Sequence, residues 1–282
     1  MKNPKSLKQA LEEVLSAEEM KKLVKSFDIV GSIAIIEIPE ELKSKEKEIG
    51  EAILKVHKNV KTVCSKEGPR SGEFRIMPLK VIAGEDTTET IYIESGARMK
   101  LDVSKVYFSP RLSYERNRIA SLVKPGEVIG AWFAGVGPFP LVIFKKQPNV
   151  LIYAIELNPA AYKYLVENIR INKAQEAIIP VLGDVAEKVR ELPKFDRILM
   201  PLPKGALRFL DLAFERIKPG GVIHVYSFVP ASDPYSDLEK LIKSTAAKHG
   251  KKAEIIFKRK VRSFSPDTIQ VAVDIKVEDN KK

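Results

Sequence analysis

Three groups of residues stand at the ends of successive predicted strands, and their types suit the binding of a nucleoside. The first strand runs into the turn Phe133-Ala134-Gly135-Val136-Gly137, the second ends on Glu156-Leu157, and the third ends on Gly183-Asp184. Glycines let the backbone approach a ligand, and a carboxylate at the second strand end can accept both hydroxyls of a ribose. An acid at the third strand end can reach an adenine amino group. Each feature alone has an ordinary structural explanation, but their succession favours a nucleoside cofactor.

The pattern of the glycine turn distinguishes between two such cofactors. A G-x-G-x-x-G turn is typical of NAD binding, and here Phe139 and Pro140 follow in place of a third glycine. S-adenosylmethionine is therefore the better fit. The cofactor residues predicted at these strand ends are Phe133, Gly135, Gly137, Glu156, Leu157, Gly183 and Asp184.

Two further segments carry groups that suit a reaction on a base. Pro201-Leu202-Pro203 follows the fourth predicted strand, at the edge where methyltransferases of this architecture present the acceptor base. The alternative is a simple helix start, since proline suits a first helical position. Upstream, Ser109, Arg111 and Arg116 belong to the helix that leads into the first strand. A guanidinium fork suits a cofactor carboxylate or a base carbonyl, although an arginine-rich helix is usually solvated surface.

The elements that must position these residues follow two different patterns. From about residue 110, strands alternate with amphipathic helices, which is typical of a parallel sheet flanked by helices. We predict strands at 127–133, 150–156, 177–182, 196–200, 221–227, 253–259 and 268–276, and helices at about 111–123, 159–171, 204–217 and 235–249. Upstream we predict a helix at 5–25, a short strand at 27–39, a helix at about 42–57 and several antiparallel strands.

The sequence therefore predicts two domains with a boundary near Phe108. Residues 1–108 form a small α+β domain, associated with RNA. Residues 109–282 form a Rossmann-like domain of the α/β class with a mostly parallel sheet, the fold of class I S-adenosylmethionine-dependent methyltransferases.

The charge balance favours a polyanionic partner. Forty-eight Lys and Arg against 37 Asp and Glu give a formal net charge of +11, and nucleic acid is the leading candidate.

No apolar run approaches the roughly 20 residues that span a bilayer, and the N-terminal segment lacks the apolar core of a secretion signal, so we expect a cytoplasmic protein without membrane contact. With one cysteine, Cys64, and three histidines, we expect neither an internal disulfide nor a metal site.

Four sequence blocks identify the family that the chain resembles. In order and spacing, KVYFSPRLSYER, FAGVGPF, AIELNPAAYKYLVENIRIN and DRILMPLPK resemble the archaeal and eukaryotic tRNA (guanine-37-N1)-methyltransferases, and the resemblance covers about residues 68 to 276. It implies methylation beside the anticodon, in the anticodon stem-loop, by a monomeric enzyme with tRNA for phenylalanine as the expected substrate. The positions that match the family's cofactor site are Ser109, Arg116, Glu156, Leu157, Gly183, Asp184 and Pro201.

The resemblance also assigns a catalytic pair. Arg111 stands at the position of the family's catalytic arginine, and Glu156 corresponds to the acid placed near the cofactor and, in the mechanism proposed for the family, near the target base. Because N1 of guanine carries a proton at neutral pH, methyl transfer requires a base to remove it and a cation to stabilise the charge on O6. Glu156 and Arg111 are the candidates for these two roles.

Three departures from the family pattern bear on the product. Pro201-Leu202-Pro203 replaces the usual Asn-Leu-Pro or Asn-Met-Pro, as in an archaeal subgroup that also methylates carbon 7 of 4-demethylwyosine to give isowyosine. N1 methylation, C7 methylation or both are therefore expected. Ala131 stands where relatives commonly carry aspartate, which removes a carboxylate from the methionine end of the cofactor site. The sequence begins at the small domain, without the extra N-terminal domain of longer relatives, which predicts weaker discrimination among tRNAs.

Two other functions stay open at this point. Aminocarboxypropyltransferases of the wyosine pathway share much of the scaffold, but they resemble Ser-Pro-Ala where this chain has Ser109-Pro110-Arg111, and they lack Pro138-Phe139. The other alternative is a non-catalytic tRNA-binding protein with this fold. The presence of Arg111, Glu156 and Asp184 argues against that alternative.

Two remaining features are expected to lie outside the catalytic site. His224 lies in a predicted buried strand and is expected to be a core histidine with satisfied hydrogen bonds. The basic run Lys258-Arg259-Lys260-Val261-Arg262 either is a solvated face or contacts tRNA phosphates. The net charge of the chain favours the contact.

Overall fold

The computed structural model describes residues 4–280, and the chain divides into two compact units between Glu115 and Arg116. We call them the N-terminal unit and the C-terminal unit. The division lies inside the helix Ser113–Leu122, a few residues after the boundary predicted at 108. No helix in the described part is long and apolar enough to cross a membrane.

The N-terminal unit contains a four-stranded sheet and a separate hairpin. Its strands are β1 (Asp28–Val30), β2 (Ile33–Ile36), β3 (Thr62–Lys66), β4 (Leu79–Gly84), β5 (Glu89–Glu94) and β6 (Ala97–Asp102). The sheet order is β1-β2-β3-β4, in which β2 and β3 are parallel and the other neighbours are antiparallel. The helices are α1 (Leu7–Leu11), α2 (Ala17–Lys22) and α3 (Glu46–Val56), the last preceded by a 3-10 helix at Glu40–Lys45.

Two predicted elements of this unit are divided in the structure. The helix predicted at 5–25 forms α1 and α2 because Ser16 starts a new helix through a capping box with Glu19. The strand predicted at 27–39 forms β1 and β2, joined at Gly31, whose φ is +57°. A Cβ at Gly31 would lie 2.3 Å from Oγ1 of Thr90, so this close approach to β5 requires glycine.

The C-terminal unit is built on one seven-stranded sheet. Its strands are β7 (Val128–Trp132), β8 (Leu151–Glu156), β9 (Ile178–Leu182), β10 (Phe195–Met200), β11 (Ile217–Pro230), β12 (Lys251–Ser263) and β13 (Thr268–Asp279). Their spatial order is β12-β13-β11-β10-β7-β8-β9. The neighbours from β11 to β9 are parallel, whereas β13 is antiparallel to both β11 and β12. The predicted α/β fold with a mostly parallel sheet is confirmed.

The helices of this unit connect the strands. They are α4 (Ser113–Leu122), which spans the division, α5 (Pro138–Lys146), α6 (Pro159–Ile171), α7 (Val185–Lys188), α8 (Leu210–Arg216) and α9 (Ser236–Lys248). Helix α6 has the predicted bounds. Helix α5 was not predicted because five successive residues, Phe139 to Ile143, are buried and leave no amphipathic period to detect. The helix predicted at 204–217 begins as a 3-10 helix at Ala206–Phe209 before α8.

A chain of buried polar side chains crosses the sheet beneath α4. Arg197 donates to both oxygens of Glu127, at 2.7 and 2.9 Å, and lies 2.6 Å from Nε2 of His224. Nδ1 of His224 lies 2.6 Å from Asp274, which also accepts from Arg118. Burial lowers the pKa of His224, whereas for Asp274 the opposing effect of burial is outweighed by hydrogen bonds from His224 and Arg118, which lower its pKa to about 2. His224 is a satisfied core histidine, as predicted.

Candidate active site

The carboxyl ends of four neighbouring strands meet at one edge of the C-terminal unit. Strands β10, β7, β8 and β9 are adjacent in that order and all run parallel. Because parallel strands end at the same edge, the segments that follow Trp132, Glu156, Leu182 and Met200 are brought together there. The predicted cofactor and base-positioning segments of this unit therefore share one edge of the sheet.

The turn after β7 has an unusual backbone. Phe133 has a φ of +58°, Gly135 of +58° and Gly137 of +92°. Positive φ is strained for a residue with a Cβ, and such residues concentrate where a fold holds a functional turn in place. The ring of Phe133 packs against that of Phe209, with ring centroids 5.0 Å apart. This contact holds the strained turn beside the segment that follows β10.

The two glycines of this turn have different roles. Gly137 is buried, and a Cβ there would lie 2.7 Å from Cδ1 of Leu165 on α6. Its need for glycine therefore comes from packing and from its conformation before Pro138, the first residue of α5. Gly135 is partly exposed, and its N–H points to the end of β8. Gly135 is thus the glycine that brings backbone to the candidate site.

Glu156 links the ends of β7 and β8. Its Oε2 accepts a 2.6 Å hydrogen bond from the N–H of Gly135, and its Oε1 accepts a 2.7 Å bond from the N–H of Asn158. Burial raises the pKa of Glu156, and the backbone bonds from Asn158, Gly135 and Leu157 offset part of that effect. Each carboxylate oxygen can accept more than one hydrogen bond. The carboxylate is therefore fixed at the strand end and can still accept ribose hydroxyls.

Apolar side chains lie beside this carboxylate. Leu157 directly follows β8 and is 36% exposed. Leu182 is the last residue of β9, at the same edge, and is 42% exposed. Gly183, with a φ of +138°, donates through its N–H to the carbonyl of Glu156 at 3.0 Å. Asp184 caps α7, because its Oδ1 accepts a 2.7 Å bond from the N–H of Ala186. One oxygen of Asp184 is thus occupied by the cap, and no described residue donates to the other.

The segment after β10 is irregular and tied to its neighbours. Pro201 and Leu202 are partly buried and Pro203 is buried. The carbonyl of Leu202 accepts from the N–H groups of Gly205 and Ala206, at 3.0 and 2.8 Å, and thereby starts the following 3-10 helix. The carbonyl of Pro203 accepts from the N–H of Phe228 on β11 at 3.3 Å. Two prolines and these bonds make the backbone rigid, as its proposed role in base positioning requires.

The upstream candidates fall on both sides of the division. Ser109 precedes a 3-10 helix at Pro110–Leu112 in the N-terminal unit. Arg111 lies on that helix and donates from Nε to Oδ1 of Asp28 at 2.7 Å, with 56% of its side chain exposed. Its terminal nitrogens remain accessible to a second acceptor. Arg116 is 1% exposed within the C-terminal unit, and such burial favours a structural role over direct contact with a ligand.

The sequence patterns did not predict two features near these candidates. The guanidinium groups of Arg70 and Arg75 each lie 4.7 Å from the centroid of the Tyr107 ring, and Arg75 has a positive φ of 54°. Glu115, in the same segment as Arg111 and Arg116, is a buried carboxylate that is 2% exposed. The spacing of four residues between Arg111 and Glu115 is a signal that could have identified the acid, because such residues share a helix face.

The chemistry of the edge in the C-terminal unit fits S-adenosylmethionine. Glu156 supplies an acceptor for ribose hydroxyls, Leu157 and Leu182 supply apolar surface for a flat base, and Gly135 and Gly183 supply backbone without a Cβ. Ala131 is buried in β7 and offers no group to a ligand. The residues present therefore suit the adenosine part of the cofactor.

Comparison with protein families gives two matches that together cover most of the chain. The model of the TRM5/TYW2 methyltransferase domain matches residues 90–256. The model of the TYW2 N-terminal domain matches residues 7–87.

Curated relatives differ in the modification that their names describe. The tRNA (guanine(37)-N(1))-methyltransferase Trm5b of Pyrococcus abyssi is 51% identical over 89% of this chain and 74% of its own length. The tRNA 4-demethylwyosine(37)-methyltransferase Taw21 of Saccharolobus solfataricus is 35% identical over 92% of this chain and 96% of its own. A tRNA(Phe) (4-demethylwyosine(37)-C(7)) aminocarboxypropyltransferase of Methanocaldococcus jannaschii is 38% identical over 74% of this chain and 82% of its own.

A solved structure is similar over almost the whole chain. The crystal structure of Trm5b from Pyrococcus abyssi superimposes with a TM-score of 0.89 at 47% sequence identity, and the match covers 99% of this chain and 82% of that one. The similarity extends over both units, each of which therefore has a counterpart in a protein of known structure.

Proposed function

The chain belongs to the TRM5/TYW2 methyltransferase family, and we propose that it methylates the purine at position 37 of tRNA with S-adenosylmethionine as the methyl donor. The observation that carries this proposal is the Glu156 carboxylate, held by the backbone of Gly135 and Asn158 at the edge where the strand ends meet. The basic charge of the chain supports a tRNA substrate.

When bound, S-adenosylmethionine supplies an electrophilic methyl group. The chain must then position the purine and manage one proton. At guanine, a carboxylate takes the proton from N1, and a guanidinium donates to O6, where negative charge develops. We assign the guanidinium to Arg111, whose Nε is held by Asp28 while its terminal nitrogens can form paired hydrogen bonds.

The carboxylate that removes the proton has two candidates. Glu156 is assigned by the sequence, but both of its oxygens already accept backbone N–H bonds. Glu115, four residues after Arg111 at the start of α4, is the alternative carboxylate. The single-turnover rate of methylation with saturating cofactor and tRNA distinguishes the two candidates. If Glu156 is the base, Glu156→Gln lowers the rate about 100-fold or more and Glu115→Gln does not; the reverse result assigns Glu115.

The product depends on the segment after β10. Pro201 has no amide N–H, so this backbone position cannot donate a hydrogen bond to a base. We propose N1 methylation of guanosine, supported by the 51% identity to a protein named for that reaction. We also propose C7 methylation of 4-demethylwyosine, supported by Pro201 and by the similarity to a protein named as a 4-demethylwyosine methyltransferase. Pro201→Asn is expected to shift the ratio of the two products towards N1-methylguanosine.

The aminocarboxypropyl transfer is the second candidate function. Relatives named for it are similar to this chain over most of its length. Arg111 and the Pro138-Phe139 pair, which starts α5 directly after the glycine turn, argue for methyl transfer instead. A product heavier than the substrate by an aminocarboxypropyl group rather than by a methyl group would establish this alternative.

The finer properties of the enzyme are proposals as well. We propose that it acts as a monomer, in the cytoplasm, on the anticodon stem-loop of tRNA for phenylalanine. Sedimentation of the protein alone and with tRNA tests the oligomeric state. Methylation of a set of tRNA transcripts that differ in the anticodon loop tests the substrate preference.

The experiment that tests the function uses two matched tRNA transcripts. One carries guanosine at position 37 and the other carries adenosine there, and both are incubated with the protein and cofactor labelled in the methyl group. We expect label in the first transcript alone. Calorimetry that detects no S-adenosylmethionine binding would instead favour a non-catalytic tRNA-binding protein.

A further inference from the structure

The strands at one side of the C-terminal unit extend past the edge where the other strands end. Met200, the last residue of β10, pairs with Val225, but β11 continues for five residues to Pro230. At roughly 3.3 Å per residue this extension is about 16 Å long. Strands β13 and β12 pair along it, with Val229 opposite Ile269 and Ile269 opposite Ser263. The turn between β12 and β13 therefore projects from the same edge as the candidate site.

A direct bond connects this extension to the segment proposed to position the base. The N–H of Phe228, on the extended part of β11, donates to the carbonyl of Pro203 at 3.3 Å. This bond places the backbone of Phe228 beside Pro203, the last residue of the Pro201-Leu202-Pro203 segment. Any group bound at this segment lies next to the extension.

An exposed aromatic ring lies on the extension. Phe264, immediately after β12, is 65% exposed, and its ring centroid lies 4.5 Å from that of the partly buried Phe228. The N–H groups of Phe264 and Ser265 donate to the carbonyl of Thr268 at 2.9 and 3.1 Å, so the backbone at the ring is fixed. A flat apolar ring, held by its backbone and by a second ring, is available to a ligand with a flat face.

Arg262, two residues before Phe264 in the sequence, has a fixed orientation. Nε of Arg262 donates to Oε1 of Gln270 at 2.8 Å, and Gln270 is fully buried. No described residue accepts a hydrogen bond from the terminal nitrogens of Arg262. The segment from 258 to 267 carries four cations, Lys258, Arg259, Lys260 and Arg262, against a single acid, Asp267. The field around the exposed ring therefore attracts an anion.

We propose that Phe228, Phe264 and Arg262 form a platform that binds an unpaired nucleotide adjacent to the target purine. The base of this nucleotide stacks on the Phe264 ring, and its phosphate accepts hydrogen bonds from the terminal nitrogens of Arg262. Stacking on an aromatic ring is open to every base, so the platform suits a loop segment whose bases are not paired. The proposal rests on tRNA as the substrate of the neighbouring site.

Fluorescence of a labelled RNA hairpin tests the platform independently of catalysis. The probe is an anticodon stem-loop with 2-aminopurine on the 5′ or the 3′ side of position 37, titrated with protein that contains S-adenosylhomocysteine. We expect quenching of one of the two labels by the wild-type protein. Phe264→Leu should remove this quenching and weaken RNA binding roughly 5- to 150-fold, because stacking is lost, whereas Phe264→Trp should retain both.

The contribution of Arg262 is measured as salt dependence. Arg262→Gln should reduce the slope of log affinity against log salt concentration by roughly 0.7 to 1, while Lys252→Gln, which changes an exposed cation near the other end of β12, leaves the slope unchanged. The platform is refuted if the Phe264→Leu protein binds the RNA and quenches its label as the wild type does. It is also refuted if this variant loses affinity for S-adenosylhomocysteine. A wild-type protein that binds neither hairpin overturns the proposed function together with the platform.

Discussion

Replacement of Glu156 by glutamine tests how the strand ends hold the cofactor. The change removes one acceptor oxygen and places an NH2 group against the N–H of either Gly135 or Asn158, which lie 2.6 and 2.7 Å from the carboxylate. It also removes a buried charge, and burial of that charge is what raises the pKa of Glu156. These two effects oppose each other in the folded protein, so the free energy of unfolding should change by no more than about 1 kcal/mol.

For cofactor binding, no second effect offsets the loss of the acceptor oxygen. A hydrogen bond from a ribose hydroxyl to a carboxylate contributes about 1.5–3 kcal/mol, so its loss corresponds to a roughly 10- to 150-fold weaker affinity. Calorimetric titration with S-adenosylhomocysteine measures this change without turnover. Glu187→Gln is the matched control, because Glu187 is exposed on α7. Affinity of Glu156→Gln within twofold of wild type would refute the assigned role of this carboxylate.

Three further predictions concern stability and reactivity. Burial lowers the pKa of His224, so near the ordinary pKa of 6.5 the unfolded chain takes up a proton that the folded chain does not. Thermal stability should therefore fall as the pH decreases below about 6.5. The His224→Asn variant should lose the contribution of this residue to the pH dependence of stability. Gly137→Ala should lower the free energy of unfolding in urea by about 2–4 kcal/mol through strain and contact with Leu165, whereas Gly126→Ala, at a positive φ in open space, should lower it by about 1 kcal/mol. Burial raises the pKa of Cys64 to about 11, so a thiol reagent at pH 8 should label the native protein slowly and the urea-unfolded protein at once; equal rates would contradict this burial.

Most of the parallel sheet was predictable from the sequence because its strands are short apolar runs that end on glycine, proline or acidic residues. Helix α6 was predicted with its bounds because Asn158 and Pro159 mark its start and its apolar residues recur at helical spacing. Helix α5 was not predicted because Phe139 to Ile143 are all buried and show no amphipathic period. Strand β11 is longer than predicted, and its extension depends on pairing with β13, a contact between distant segments that local patterns do not contain.

In the candidate site as well, sequence patterns identify single residues but not the contacts between distant segments. Glu156 and Gly135 could be selected from strand ends, but the hydrogen bond between them joins residues that only the fold brings together. The different environments of Gly135 and Gly137 depend on where α6 packs, which spacing alone does not reveal. Burial of Glu115 and Arg116, and the ring contact of Phe228 with Phe264, likewise arise from tertiary packing.

Mass spectrometry of the modified nucleoside tests the central claim most directly. The protein and S-adenosylmethionine are incubated with unmodified tRNA for phenylalanine and, separately, with the same tRNA carrying 4-demethylwyosine, and the digested nucleosides are identified. We predict N1-methylguanosine from the first substrate and isowyosine from the second. Transfer of an aminocarboxypropyl group, or the absence of any modification of either tRNA by a protein that binds the cofactor, would contradict the proposed methyltransferase.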